Sequence, residues 1–228
     1  MAKRSKRYQA VVDKVDRNTT YDPAEAFELL KGIANAKFDE SFDVVVKLGI
    51  DPRKSDQLVR GAVSLPKGLG KSVTVAVFAE GDKAEAAKEA GADHVGSADL
   101  AEKIQGGWMD FDVCIASPDM MKHVGKLGKV LGPQGKMPSP KSGTVTPNVA
   151  AAVTEFKAGK VEFRTDAGGN VHAPLGKSSF AVGDLVENLD AFLKHLVSLR
   201  PAAVKGNFMR KICVSTTMGP GAWIQFAE

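Results

Sequence analysis

The chain has 228 residues, 43% of them hydrophobic, with 31 lysines and arginines against 27 aspartates and glutamates; this is enough apolar material for one or two ordinary cores and excludes a disordered chain. No apolar run approaches the roughly 18 residues of a membrane-spanning helix, and the basic start MAKRSKRYQ is not followed by a signal peptide's apolar stretch, so a cytoplasmic protein with no membrane contact is expected. The net excess of four positive charges resides in residues 1–20, where Lys3, Arg4, Lys6, Arg7, Lys14 and Arg17 are set against only Asp13 and Asp16.

In chain order, Asp22-Pro23-Ala24-Glu25 reads as a helix start, with Asp22 as N-cap and Pro23 at the first helical position. Ala26, Phe27, Leu29, Leu30 and Ile33 supply its apolar stripe. Residues 38–68 read as strand, turn, strand. Phe42, Val44, Val46, Leu48 and Ile50 alternate, Asp51-Pro52 breaks the run, and the chain returns through Leu58 to Leu65. From Ser72 the character changes. A near-continuous β-branched run, SVTVAVF, suits a strand buried on both faces of a parallel sheet. Helices at 82–90, 98–104 and 119–127 then alternate with strands at 92–95 and 112–116 as successive βα units. A Gly/Pro-rich connection spans 130–147 and an alanine-rich helix spans 148–156. Beyond it the earlier style resumes: a strand at 161–165, a turn at 166–170 and a partner strand at 171–177. Leu185, Leu189, Phe192, Leu193, Leu196 and Leu199 mark the most regular helix, which Pro201 stops. Residues 211–217 form a closing strand, turned by Gly219-Pro220-Gly221 towards 222–226.

Neither flank holds enough core positions alone. Joined, residues 1–67 and 160–228 make an α+β domain of two helices on an antiparallel sheet, interrupted by an inserted α/β domain over 68–159 with three-layer, Rossmann-like βα architecture. Glycines at both crossings would let the two domains hinge.

Catalytic and cofactor signatures are weak. His94, His123, His172 and His195 are scattered, and Cys114 and Cys213 sit alone in apolar runs, so no metal site is expected. Gly68-Leu69-Gly70-Lys71-Ser72 imitates a phosphate loop, but Leu65 stands where the motif needs glycine, and the run precedes a strand instead of opening a helix. No βα turn carries the dinucleotide fingerprint. Gly125-Lys126-Leu127-Gly128 fits a GxxG backbone clamp only as a common four-residue pattern. A nucleotide-dependent enzyme built on the inserted domain is therefore the lesser alternative, and no cofactor is expected. Charge segregation favours a polyanionic partner, with an acidic block over 80–119, a basic block over 122–160 and an acid-free basic run over 194–211. Ser215-Thr216-Thr217-Met218-Gly219-Pro220-Gly221 puts small hydroxyls and a thioether at a strand end, groups suited to the sugar edge of RNA.

Several separated stretches resemble one family in the right order: FDESFDVVVKLGIDPRKSDQLVRGAVSLPKGLGK over 38–71, GPQGKMPSPK over 132–141 with GTVT at 143–146, residues 161–177, and STTMGPG over 215–221. Each is similar to the family of the first protein of the bacterial large ribosomal subunit, the ribosomal protein L1 family. The resemblance implies a monomeric, non-enzymatic protein whose discontinuous domain binds large-subunit rRNA in the mobile stalk near the tRNA exit site. It also implies an inserted domain that assists release of deacylated exit-site tRNA, and repression of translation by binding the leader of its own mRNA. Carried onto matching positions, the implied RNA contacts are Lys37, Phe38, Glu40 and Ser41; Arg164, Thr165, Gly169, Asn170 and His172; and Thr217, Met218 and Gly219. Arg164 and Lys37 would bond phosphates, Thr217 and Ser41 would make hydroxyl contacts, and Met218 and Phe38 would pack over them. Gln134 and Lys136 depart from the family's usual arginine and leucine, and residues 166–169 depart from its usual turn.

Overall fold

The computed structural model describes residues 5–16 and 18–226; Lys3, Arg4 and Arg17 of the amino-terminal basic run lie outside them. The fold is mixed α/β, and the chain divides into two compact units, one ending at Gly70 and resuming at Val161, the other spanning Lys71–Lys160.

The first unit begins with a helix that composition did not announce, α1 (Lys6–Val12), capped by the Ser5 hydroxyl. Its Val11, with Val15 beyond it, is buried in the unit's core. Short β1 (Thr20–Tyr21) precedes α2 (Pro23–Ile33), where Pro23 takes the first helical position as expected; the Asp22 side chain makes no cap bond. β2 (Ser41–Leu48) alternates strictly, burying Phe42, Val44, Val46 and Leu48. β3 (Arg60–Ser64) completes the first half.

The second unit contains β4 (Val75–Phe78), α3 (Asp82–Glu89), β5 (His94–Gly96), α4 (Ala98–Gln105), β6 (Val113–Ala116), α5 (Met121–Lys126), α6 (Gly128–Leu131) and α7 (Val149–Lys157). Its strands are parallel in the order β5-β4-β6. Ala76, Phe78, Cys114 and Ala116 pack under Leu100, Ile104, Val124 and Leu131, while Val75, Val77 and Ile115 pack under Ala87, Val153 and Phe156. The SVTVAVF run has no polar face because helices cover both sides of its strand. The strand starts at Val75, later than the run suggests, because the Asp112 carboxylate accepts hydrogen bonds from the Thr74 amide (3.2 Å) and hydroxyl (3.1 Å). Residues 130–147 are packed despite their composition: Ser142 and Thr144 are buried, with their hydroxyls 3.0 Å apart. Lys136 donates to the Met109 carbonyl (3.1 Å) and lies 4.9 Å from the Phe111 ring centre, so a cation fixes this connection. The GxxG pattern lies within α5 and α6 and their junction, not on a nucleic-acid clamp.

The chain returns through β7 (Lys160–Arg164), β8 (Asn170–Lys177), α8 (Val182–Ser198), β9 (Met209–Thr216) and β10 (Gly221–Ile224). The five-stranded sheet runs β1-β10-β9-β2-β8, antiparallel except for β1 with β10. Helices α2 and α8 pack on one face only.

Two expected pairings are corrected. β2 does not return onto β3, and β7 does not form a hairpin with β8; instead β3 pairs with β7 in a separate two-stranded sheet. The loop after β2 is too long to set a hairpin register, and Asp51 folds it locally, its amide donating to Gln57 (2.8 Å) and its carboxylate accepting from Arg53 (3.1 Å). β2 then has both edges occupied by eight-residue strands, β8 and β9, which offer more ladder bonds than five-residue β3. Between β7 and β8 only the Thr165–Val171 bridge forms.

Leaving the first unit, the chain is tied to α8 by Asn188. This buried side chain accepts from the Lys67 amide (3.0 Å) and donates to the Gly68 (3.0 Å) and Leu175 (2.8 Å) carbonyls. Gly70, at φ +65°, lies so close to Phe180 that a Cβ would come within 2.6 Å of its ring. The decoy phosphate loop is thus a packing device.

Candidate nucleic-acid interface

The start of β2 and the end of β9 are neighbours, and a reciprocal set of bonds joins them. The Ser41 amide donates to Thr217 Oγ1 (2.9 Å), the Thr217 amide donates to the Ser41 carbonyl (3.0 Å), and the Thr217 hydroxyl lies 3.3 Å from that same carbonyl. With one proton given and one lone pair filled, the exposed Thr217 hydroxyl keeps one acceptor site for a partner. Lys177 Nζ donates to Ser41 Oγ (2.9 Å), leaving the Ser41 proton free to donate outward.

Glu40 is placed differently from the contact that the resemblance implies. It is 1% exposed and turned inward, accepting from the Ala36 amide (3.2 Å) and the Met218 amide (3.0 Å). It therefore positions the residues on either side, Phe38 and Met218, which are 55% and 43% exposed. Large apolar groups held in water by a buried carboxylate are a prepared contact surface, because a partner that covers them gains burial without ordering the loop. Lys37 is exposed beside Phe38. Asp39, also exposed, has its carboxyl pulled below the ordinary range by the Ser178 hydroxyl, then by Ser179.

Arg7 is a component that sequence reasoning missed. From α1 it donates to Asn35 (2.9 Å) and to the Met218 carbonyl (3.2 Å). A depression of about 440 Å³ opens there, lined by Ser5, Arg7, Tyr8, Thr217, Met218 and Gly219. Gly219 permits the turn, since a Cβ would stand 2.3 Å from Thr216 Oγ1, a buried atom with no hydrogen-bond partner among the described residues.

The remaining candidates gather elsewhere. Lys47, six residues along β2 from Ser41, pairs with Asn170, which puts the 166–170 turn about 20 Å away at the other end of the strand. Asp166 organises that turn: Oδ1 accepts from the Gly168 (2.8 Å) and Asn170 (2.7 Å) amides, and Oδ2 from Asn170 Nδ2 (3.0 Å), with His172 Nε2 3.4 Å away. Gly169 is buried at φ +74°, and its carbonyl accepts from the Leu48 amide (2.9 Å). Gly169 is thus framework and Asn170 is half-buried, whereas Arg164 and His172 are exposed. Thr165 donates its amide to the Val59 carbonyl (3.0 Å). A pocket of about 560 Å³ runs from Arg164 to His172.

These bonds, the Asn170 side chain first and its amide second, hold the Asp166 carboxyl down to about 2. A depressed carboxyl stabilises the fold above its ordinary pKa, so its contribution is complete above about pH 4 and fades as pH falls through about 2. Asp166→Ala should speed amide exchange at Gly168 and Asn170 by roughly 3- to 10-fold, because both amides lose the carboxylate they donate to, about one hydrogen bond's worth each. Exchange measured by NMR checks this; unchanged protection would mean that the turn does not depend on Asp166.

Exposed apolar groups among hydroxyls and cations at strand ends, in a mixed α/β fold, form a surface of the kind that macromolecule-binding proteins present. The chain belongs to the ribosomal protein L1p/L10e family, whose model matches residues 29–220. It is 60% identical over 225 residues to the large ribosomal subunit protein uL1 of Azoarcus sp., covering 99% of this chain and 97% of that one. Identity to the protein of the same name from Bordetella pertussis is 59% over 228 residues, covering 100% and 98%. The uL1 of Aromatoleum aromaticum is 58% identical over 225 residues, covering 99% and 97%. The family is one of ribosomal proteins, and the chain is not an enzyme. No helix among the described residues is long and apolar enough to cross a membrane.

Proposed function

We propose that this protein is a cytoplasmic structural component of the large ribosomal subunit, and that it binds a structured segment of large-subunit rRNA through the unit formed by both chain ends. The observation that carries this reading is the Ser41–Thr217 exchange, which presents hydroxyls flanked by exposed Phe38 and Met218. Such a site suits RNA because a 2′-hydroxyl can donate to the free Thr217 lone pair while Ser41 donates back. Lys37 and Arg164 supply phosphate contacts at the two ends of the sheet, which fixes register without reading bases. Membership of a ribosomal-protein family and likeness to large-subunit proteins of other bacteria support the same partner.

The finer reading follows the resemblance. The discontinuous α+β unit is the rRNA-binding domain, and the inserted Rossmann-like unit serves the mobile stalk near the tRNA exit site, assisting release of deacylated tRNA. The monomeric free protein represses its own translation by binding its mRNA leader with the rRNA surface. Hydroxyl-radical footprinting of the full chain on large-subunit rRNA tests both levels. Protection of one structured segment, abolished by the mRNA leader and not by deacylated tRNA, is the expected result. Absence of any protected segment would overturn the rRNA reading, and protection indifferent to the leader would overturn the repressor reading alone.

A further inference from the structure

The face of the five-stranded sheet opposite α2 and α8 carries no described helix, and its side chains form ordered rows. Thr20, Trp223, Cys213, Val45 and His172 are cross-strand neighbours in one row spanning all five strands. Lys211, Lys47 and Asn170 form the next row. Trp223, Cys213 and Val45 are half-buried, while Thr20, His172 and Lys211 are exposed. The Lys211 ammonium lies 5.3 Å from the centre of the Trp223 ring, and a depression of about 390 Å³ beside it is lined by Asn18, Thr20, Arg210, Lys211 and Trp223 together with the aliphatic Ile212 and Ile224, with no acidic residue among its lining. The same face runs between the two candidate clusters: Ser41 shares it at one end of β2, and Asn170 and His172 at the other.

We propose that this open face is a further RNA contact, on which an unpaired nucleotide stacks on Trp223 with its phosphate held by Lys211 and Arg210. The proposal rests on the reading that this unit binds RNA. An indole with a cation at its face and a second cation beside it combines the two elements of single-strand binding, a stacking platform and a phosphate counter-charge. An RNA that reached both ends of β2 would cross this face, so its occupant is continuous with the proposed partner. Asp43 stands in the row on the other side of Val45, away from Lys211. Burial pushes its carboxyl up, while Lys177 and His172 oppose that shift.

The test uses the full chain with Trp108→Phe, which leaves Trp223 as the only tryptophan of the two. A decameric oligoadenylate is titrated against its fluorescence, and a large-subunit rRNA fragment is bound in parallel by the same protein and by a Thr217→Ala form. Saturable quenching by the oligoadenylate, weakened at least ~5-fold by Lys211→Ala with Arg210→Ala, is expected, with Trp223→Phe retaining most binding in a gel shift. No quenching alongside intact, Thr217-dependent rRNA binding would overturn the proposal and leave the sheet-end reading standing. Quenching that rises with protein concentration alone would assign the face to a second copy of the chain and overturn it equally. If quenching persists while rRNA binding ignores Thr217, the open face stands and the sheet-end reading falls; loss of both defeats both.

Discussion

Replacing Gly219 by valine is expected to lower affinity for large-subunit rRNA by about 100-fold while the protein stays folded. The cause is steric. A Cβ at this position would stand 2.3 Å from Thr216 Oγ1, and Thr216 is 3% exposed on a strand of the central sheet. It cannot swing aside, so the 217–219 backbone must move instead. That motion loosens the Met218 amide from Glu40, the Met218 carbonyl from Arg7 and the Thr217 pair with Ser41. Re-forming such a set on binding costs about 1 kcal/mol per bond, which for two or three bonds is roughly two decades of affinity. Gly219→Ala should lose nearly as much, because the clash belongs to the first side-chain atom. Equilibrium binding of folded variants checks this; an alanine variant that binds like the parent would show that the turn has slack.

The largest stability effect should come from Asn188→Ala. Asn188 is fully buried on α8 and satisfies three backbone groups, two of them on the segment that leaves the first unit. Removing it leaves a donor and two acceptors without their partner, the bond to the Leu175 carbonyl being fully buried and the other two partly so, an expected cost of about 2–4 kcal/mol. Calorimetry should show a fall in Tm of roughly 5–12 °C in the transition that loses α8 helicity. A shift below about 2 °C would mean that water replaces the side chain, which its burial opposes.

What the sequence discloses follows from how local each signal is. The alternation in β2, the leucine spacing of α8 and the doubly buried run in β4 are periodic, so burial pattern alone locates them. Strand pairing is not local: β3 finds β7 across the inserted unit, and no spacing within residues 51–59 reports that choice. α1 hid in a basic run because its apolar contribution is only Val11, with Val15 after it; Ser5 as a cap was the available signal. In the candidate site, STTMGPG was legible as a strand end, and β9 does end at Thr216; that Met218 is exposed there is seen only in the structure. Glu40 resisted reading, since a carboxylate among charged neighbours looks solvated, and only its partners reveal a buried strut. The 166–170 turn was legible as a turn but not as an aspartate-centred one, although Asp-x-Gly-x-Asn offers the right donors at short range.

The most direct test of the central claim is binding of the full chain to a large-subunit rRNA fragment across a salt series, with the parent compared to Thr217→Ala and Lys37→Ala. Thr217→Ala should weaken binding by about 1–3 kcal/mol at every salt concentration, because it unties Ser41 as well as removing an acceptor. Lys37→Ala should chiefly flatten the salt dependence, by about one phosphate's worth. Weak binding that vanishes with salt and ignores Thr217 would contradict specific recognition at the joined ends of β2 and β9.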